Sequence, residues 1–141
     1  MVTQTLSFGQ WTLVYLIAIV AFLVIDGAWL MTVMKPMFTD MLGQMLRDQI
    51  NLIPAAIFYL FYVVAVLIFA VAPALKTGNW VDAAWRGALL GLIAYGTYDM
   101  TNLSTLRNYK LSVALIDTGW GGAVSAITAS IGFWAAAWIT G

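Results

Sequence analysis

The chain has 141 residues, of which 63% are hydrophobic and only 9% charged, with six acids balancing six bases. Soluble domains carry about 25% charged residues, so the composition reads as an integral membrane protein of one domain, 1–141; with no basic run, nothing favours nucleic acid. Cys, His and Glu are absent and every acid is Asp, which excludes disulfides, thiolate or imidazole metal sites and any histidine base; no metal or cofactor is expected.

The N-terminal "MVTQTLSFGQ" lacks the basic residues of a signal peptide, and the apolar run behind it is too long for one. It is expected to lead into a retained first span, about 11–34, whose only internal charge is Asp26. The next segment, "KPMFTDMLGQMLRDQIN", places Phe38, Met41, Leu42, Met45, Leu46 and Ile50 at helical spacing, with Asp40, Gln44, Arg47 and Asp48 elsewhere. That pattern predicts a short amphipathic helix over 36–50, either lying on the membrane surface or packed on the end of the bundle. The second span, 52–75, opens near Pro54, where a missing N–H costs little. The third, 81–103, carries Arg86 near its start and Asp99 near its end; the fourth, 112–139, carries Asp117. Lipid cannot satisfy open strand edges, so these spans are expected to be helices. The short connections "KTGNW" and "RNYK" make successive helices antiparallel neighbours. The expected fold is therefore an all-α, antiparallel bundle of four transmembrane helices with an interfacial helix between the first two.

In that topology the N-terminus, the second connection and the C-terminus share one face, A; the other connections share the opposite face, B. Trp11, Trp80, Trp85, Trp134 and Trp138 fall toward A, as an interfacial belt would. Trp29 and Trp120 fall toward B, each closing an Asp-x-x-Trp tetrad, "DGAW" and "DTGW". Lys35, Arg47, Arg107 and Lys110 lie toward B against Lys76 and Arg86 toward A, a bias that puts B in the cytoplasm and the termini outside.

At about 1.5 Å per residue, Asp26 lies ~12 Å inside face B, and Asp99 and Asp117 about 6–8 Å inside it. Tyr59 and Tyr62 on the second helix and Tyr95 and Tyr98 on the third occupy the same half. Tyr95, Asp99 and Asn102 share a helix face, as do Asp26 with Trp29 and Asp117 with Trp120. Phenol and indole donors suit carboxylates, which only accept when ionised. Asp26, Trp29, Tyr59, Tyr62, Tyr95, Tyr98, Asp99, Asn102, Asp117 and Trp120 are accordingly the candidate ligand-binding set, with Thr101 and Thr118 close by. A lone acid near a membrane face is as readily structural as functional; three from three helices favour a site. Gly87 and Gly91, and the series Gly122, Ala126 and Ser130, are read as close-packing strips, within the chain or between copies.

The segments "DGAWL" (26–30), "LG" (42–43), "PAAIFYLFY" (54–62), "FAVAPAL" (69–75), "GALLGLIAYGTYDMTNLSTLR" (87–107) and "DTGWG" (117–121) together cover nearly the whole chain. In them the sequence resembles a family of small bacterial inner-membrane proteins catalogued as a domain of unknown function. The Tyr-Asp-x-Thr-Asn run at 98–102 is the most specific of these features. Where that family's pattern has a tryptophan–proline pair after Arg107, this chain has "NYKLS". The resemblance implies a four-helix, multi-pass protein of the bacterial inner (cytoplasmic) membrane and supplies no activity.

Three functions compete. The first is a protein that binds or carries an amphiphilic small molecule or lipid through its head group. The second is an accessory or assembly subunit of a larger membrane complex, or a homo-oligomer, docking through the small-residue faces. The third is a lipid- or isoprenoid-modifying enzyme using Asp acid–base chemistry or a magnesium-assisted step, although no D-D-x-x-D run is present.

Overall fold

The computed structural model describes residues 5–141; residues 1–4 of the expected domain lie outside the described residues. Among the described residues all regular structure is helical. Ser7 begins α1 (Phe8–Trp29) through a reciprocal cap: its Oγ accepts the Gln10 N–H at 3.2 Å while Gln10 Oε1 accepts the Ser7 N–H at 2.8 Å. A π-helical turn, Leu30–Met34, joins α1 directly to α2 (Lys35–Leu42) and a 3₁₀ turn, Gly43–Met45. Then come α3 (Leu52–Val66), a second π turn (Leu67–Val71), α4 (Ala72–Thr77), α5 (Trp80–Thr105) and α6 (Leu111–Thr140). Asn51 and Asn79 cap α3 and α5, each side chain accepting the N–H two residues on.

Both π turns have one cause. Pro36 and Pro73 stand at the starts of α2 and α4, and a proline inside a helix removes an N–H and crowds the carbonyl four residues back. Immediately before each proline, the N–H of Lys35 bonds Leu30 O and that of Ala72 bonds Leu67 O, a five-residue step that widens the turn. The helix thus survives the proline. This explains a difference from the sequence reading, which ends the first span at 34 and starts a separate helix at 36. The observed helix runs through to Leu42, where Gly43, at φ 52°, breaks it. The expected helix over 36–50 is correspondingly shorter, and 46–51 carry no helix.

Three helical stretches, Phe8–Met45, Leu52–Thr77 and Leu111–Thr140, are long and apolar enough to cross a membrane. α5 has 26 residues, about 39 Å of helix, but Asp82, Arg86, Asp99, Asn102, two tyrosines and three threonines make it less apolar. Large apolar side chains such as Val20, Val24, Phe61, Phe69 and Ile93 point outward, the arrangement of helices solvated by lipid.

α6 is the central element, touching α1, α3, α4, α5 and the second π turn. Its closest partner is α5. Glycines make that approach: a methyl group on Gly87 would strike the Ser125 carbonyl, one on Gly91 the Gly121 carbonyl, and one on Gly121 the Tyr95 ring. Along this seam the residue numbers fall on α6 as they rise on α5. The glycines of these strips, Gly87, Gly91 and Gly122, are thus met by neighbours within the chain. Phe22, Val14, Val63, Val66, Val71 and Val124 fill the apolar centre, beside a buried Tyr62–Ser125 hydroxyl pair at 2.5 Å. A smaller cluster of Met34, Met41, Tyr109, Val113 and Ala114 packs α2 over the B end of α5 and α6, pinned outside by Lys110–Asp40 at 3.5 Å.

Candidate functional site

The three intrahelical acids are all buried: Asp26 is 2% exposed, Asp99 0% and Asp117 6%. The donors to Asp26 and Asp99 come from outside their own helices. Tyr95 Oη on α5 and Trp120 Nε1 on α6 both donate to Asp26 Oδ1, each at 2.9 Å. Tyr59 on α3 stands beside the same carboxyl. Asp99 accepts from Tyr109 Oη at 2.8 Å and from Thr118 Oγ1 at 3.3 Å. Asp117 faces Asp99 and the Trp29 indole. Trp29 and Trp120 lie flat against each other, with centroids 4.4 Å apart and planes 4° from parallel, a contact worth about 0.5–1.5 kcal/mol beyond its burial.

The two Asp-x-x-Trp tetrads therefore exchange partners. Trp120, from the tetrad of Asp117, serves Asp26; Trp29, from the tetrad of Asp26, turns to Asp117. Shared helix faces suggest that each indole stays beside its own acid. The stack between the two tryptophans carries each across to the other helix instead.

One part of the network is open. The Trp29 Nε1 is buried and reaches no acceptor at hydrogen-bond geometry. It lies toward Asp117, whose carboxyl also meets that of Asp99. Buried polar groups are normally paired, and leaving one unmet costs about 1–3 kcal/mol.

Not every candidate residue joins this layer. Tyr62 points its hydroxyl at Ser125 rather than at a carboxyl. Tyr98 is 51% exposed and stands at the rim, with Asn102 between it and Tyr109. Thr101 is exposed, outside the layer. Sequence reasoning misses Tyr109, only 6% exposed in the α5–α6 connection. The signal was the departure "NYKLS", which replaces an expected tryptophan–proline pair with a donor that closes over Asp99. Burial and the Asp99 carboxyl accepting its proton push the Tyr109 phenol above its usual value, so it remains a donor at physiological pH. Tyr109→Phe is expected to cost about 1–2 kcal/mol by leaving Asp99 Oδ1 without that donor, measurable as an earlier midpoint in detergent-denaturant unfolding.

Among the described residues no group of three His, Cys, Asp or Glu side chains is arranged to hold a metal ion. An open apolar groove of about 580 Å³ lies toward face A, walled by Phe8, Trp11, Tyr15, Val64, Leu67 and Ile68. None of the ten candidate residues lines it.

Apolar helices with outward-facing hydrophobic side chains, closed around a buried layer of carboxyls, phenols and indoles, define an α-helical membrane protein. Residues 11–134 match the family described as "Predicted membrane protein (DUF2177)", and the chain belongs to it. No curated protein and no solved structure matches the chain. The family match bears out the resemblance carried by "DGAWL", "YDMTN" and "DTGWG".

Proposed function

We propose that the protein is an antiparallel four-span bundle of the bacterial inner membrane whose acid layer, near face B, binds or carries the polar head of an amphiphilic small molecule or lipid. The observation that carries this reading is the burial of three acids from three helices together, with an unpaired indole N–H beside one of them. Asp117 lies against the Asp99 carboxyl, and the Trp29 N–H beside it reaches no acceptor at hydrogen-bond geometry. A layer that served stability alone would pair that N–H. The first ten residues of α3, Leu52–Phe61, bury no side chain, leaving an apolar wall beside Tyr59 for a tail. α5 is read as the fourth span because its connections are short and its contacts with α6 run in opposite register. Exposed Trp80, Trp85, Trp134 and Trp138 suit an interfacial belt at face A. The excess of Lys and Arg at face B favours its cytoplasmic placement. A subunit role would need some other surface than the glycine strips, which meet their own neighbours.

Native mass spectrometry of protein extracted from its own membrane tests this reading. Wild type is expected to carry a bound small molecule or lipid. Asp117→Asn is expected to lose about tenfold of that occupancy or more while keeping its helical content. Wild type free of any adduct, or an adduct held equally by Asp26→Asn, Asp99→Asn and Asp117→Asn, overturns it.

A further inference from the structure

We propose that Arg86, near the face-A end of α5, holds the phosphate of an anionic phospholipid in that leaflet, a second site apart from the acid layer. The inference takes α5 as a span and needs nothing else of the reading above. Arg86 follows Trp80 by six residues, about 9 Å of helix, and sits beneath the exposed Trp80 and Trp85 at face A. A cation at that depth is costly unless it is paired or its long side chain reaches the head groups.

Arg86 finds no such pairing within the chain. Among the described residues the one ion pair, Lys110–Asp40, lies at the opposite face, and the buried Nε of Arg86 donates to nothing. Asp82, one helical turn earlier, would be the natural partner, but both of its oxygens are engaged. Its Oδ1 accepts the Trp85 N–H at 3.1 Å, and its Oδ2 meets the Thr77 hydroxyl at 2.5 Å.

The fold gives this side chain a direction. Its guanidinium carbon lies 4.7 Å from the centroid of the Trp85 ring, within cation–π range, so the planar group rests on an exposed indole. With Nε buried, the outer edge of the fork, Nη1 and Nη2, is the part left for a ligand. Two parallel N–H groups match two oxygens of a phosphate. Around it on α5, Val81, Trp85 and Leu89 are exposed and apolar. Such a surface lies against acyl chains, so the anion within reach is a lipid phosphate. An anionic head group leaves its whole charge to the arginine, whereas a choline head brings a cation of its own.

The test is native mass spectrometry of the full chain in detergent, titrated with dioleoylphosphatidylglycerol or dioleoylphosphatidylcholine, which differ only in head group. Wild type is expected to hold a first phosphatidylglycerol about fivefold more tightly than a first phosphatidylcholine. Arg86→Gln is expected to lose that preference, and Arg47→Gln, an equal change of charge at an exposed position toward face B, to keep it. A preference equal in the two variants reflects general attraction between charges and overturns the site. Displacement of phosphatidylglycerol by inorganic phosphate marks a site for the free ion and overturns the lipid assignment. A wild-type dimer that Arg86→Gln dissociates marks a protein carboxylate and does the same. If Arg86→Gln does not fold, a phosphatidylglycerol with a photoreactive head group is expected to label residues 80–89 of wild type; labelling confined to face B overturns the proposal. None of these outcomes bears on the acid layer.

Discussion

Gly91→Ala is expected to destabilise the protein by about 3 kcal/mol, near the upper end of the cost of overpacking. The added methyl would fall on the Gly121 carbonyl and the Ser125 hydroxyl. A side chain could swing away, but a carbonyl in the middle of α6 cannot, so the two helices must part. Parting them also draws Tyr95 from Asp26 and Thr118 from Asp99, because those bonds cross from α5 to its neighbours. Gly119 provides the contrast, since a methyl there meets nothing within 4 Å. Gly119→Ala should be neutral or stabilising by up to about 1 kcal/mol through helix propensity. Denaturant titration in mixed micelles distinguishes the two; equal midpoints for Gly91→Ala and Gly119→Ala would show that the α5–α6 seam has room to spare.

The helical class was legible because lipid leaves few alternatives: a chain this apolar must satisfy its backbone within each segment. The acids were legible as a group because a charge within an apolar run needs a reason. What the sequence hid was partner choice. Helical spacing tells which residues share a face, and on that basis Trp29 belongs with Asp26. It says nothing of which neighbour that face meets, and the stacked indoles reverse the pairing. Tyr62 sat at a reasonable depth for the acid layer, but its hydroxyl found Ser125, a residue that reads from sequence only as one more small side chain on α6. Tyr109 was invisible for a different reason: it stands in a connection, where neither helical period nor hydropathy assigns a direction. The π turns were equally hidden: the first span reads as ending at 34, and the helix instead passes Pro36 through a widened turn.

Asp26→Leu is expected to cost about 3 kcal/mol and to loosen the aromatic layer with it. One oxygen, Oδ1, receives both the Tyr95 hydroxyl and the Trp120 indole, so its removal strands two donors at once. Each stranded donor costs about 1–3 kcal/mol in a buried site, and the lower part of that range applies in a membrane, where the unfolded helices also find partners. Asp26→Asn keeps an acceptor oxygen and should cost only about 1 kcal/mol. The decisive comparison is the double variant Asp26→Leu with Tyr95→Phe, which removes donor and acceptor together. It should recover about 1 kcal/mol of the loss, a coupling that a mere change of shape would not produce. The indoles report the same event independently. Trp120 is held between Asp26 and the face of Trp29; freed from the carboxyl, it should lose its fixed orientation and weaken the near-ultraviolet dichroism of the stacked pair. Additive costs in the double variant, together with an unchanged aromatic spectrum, would mean that Asp26 does not hold α1, α5 and α6 together.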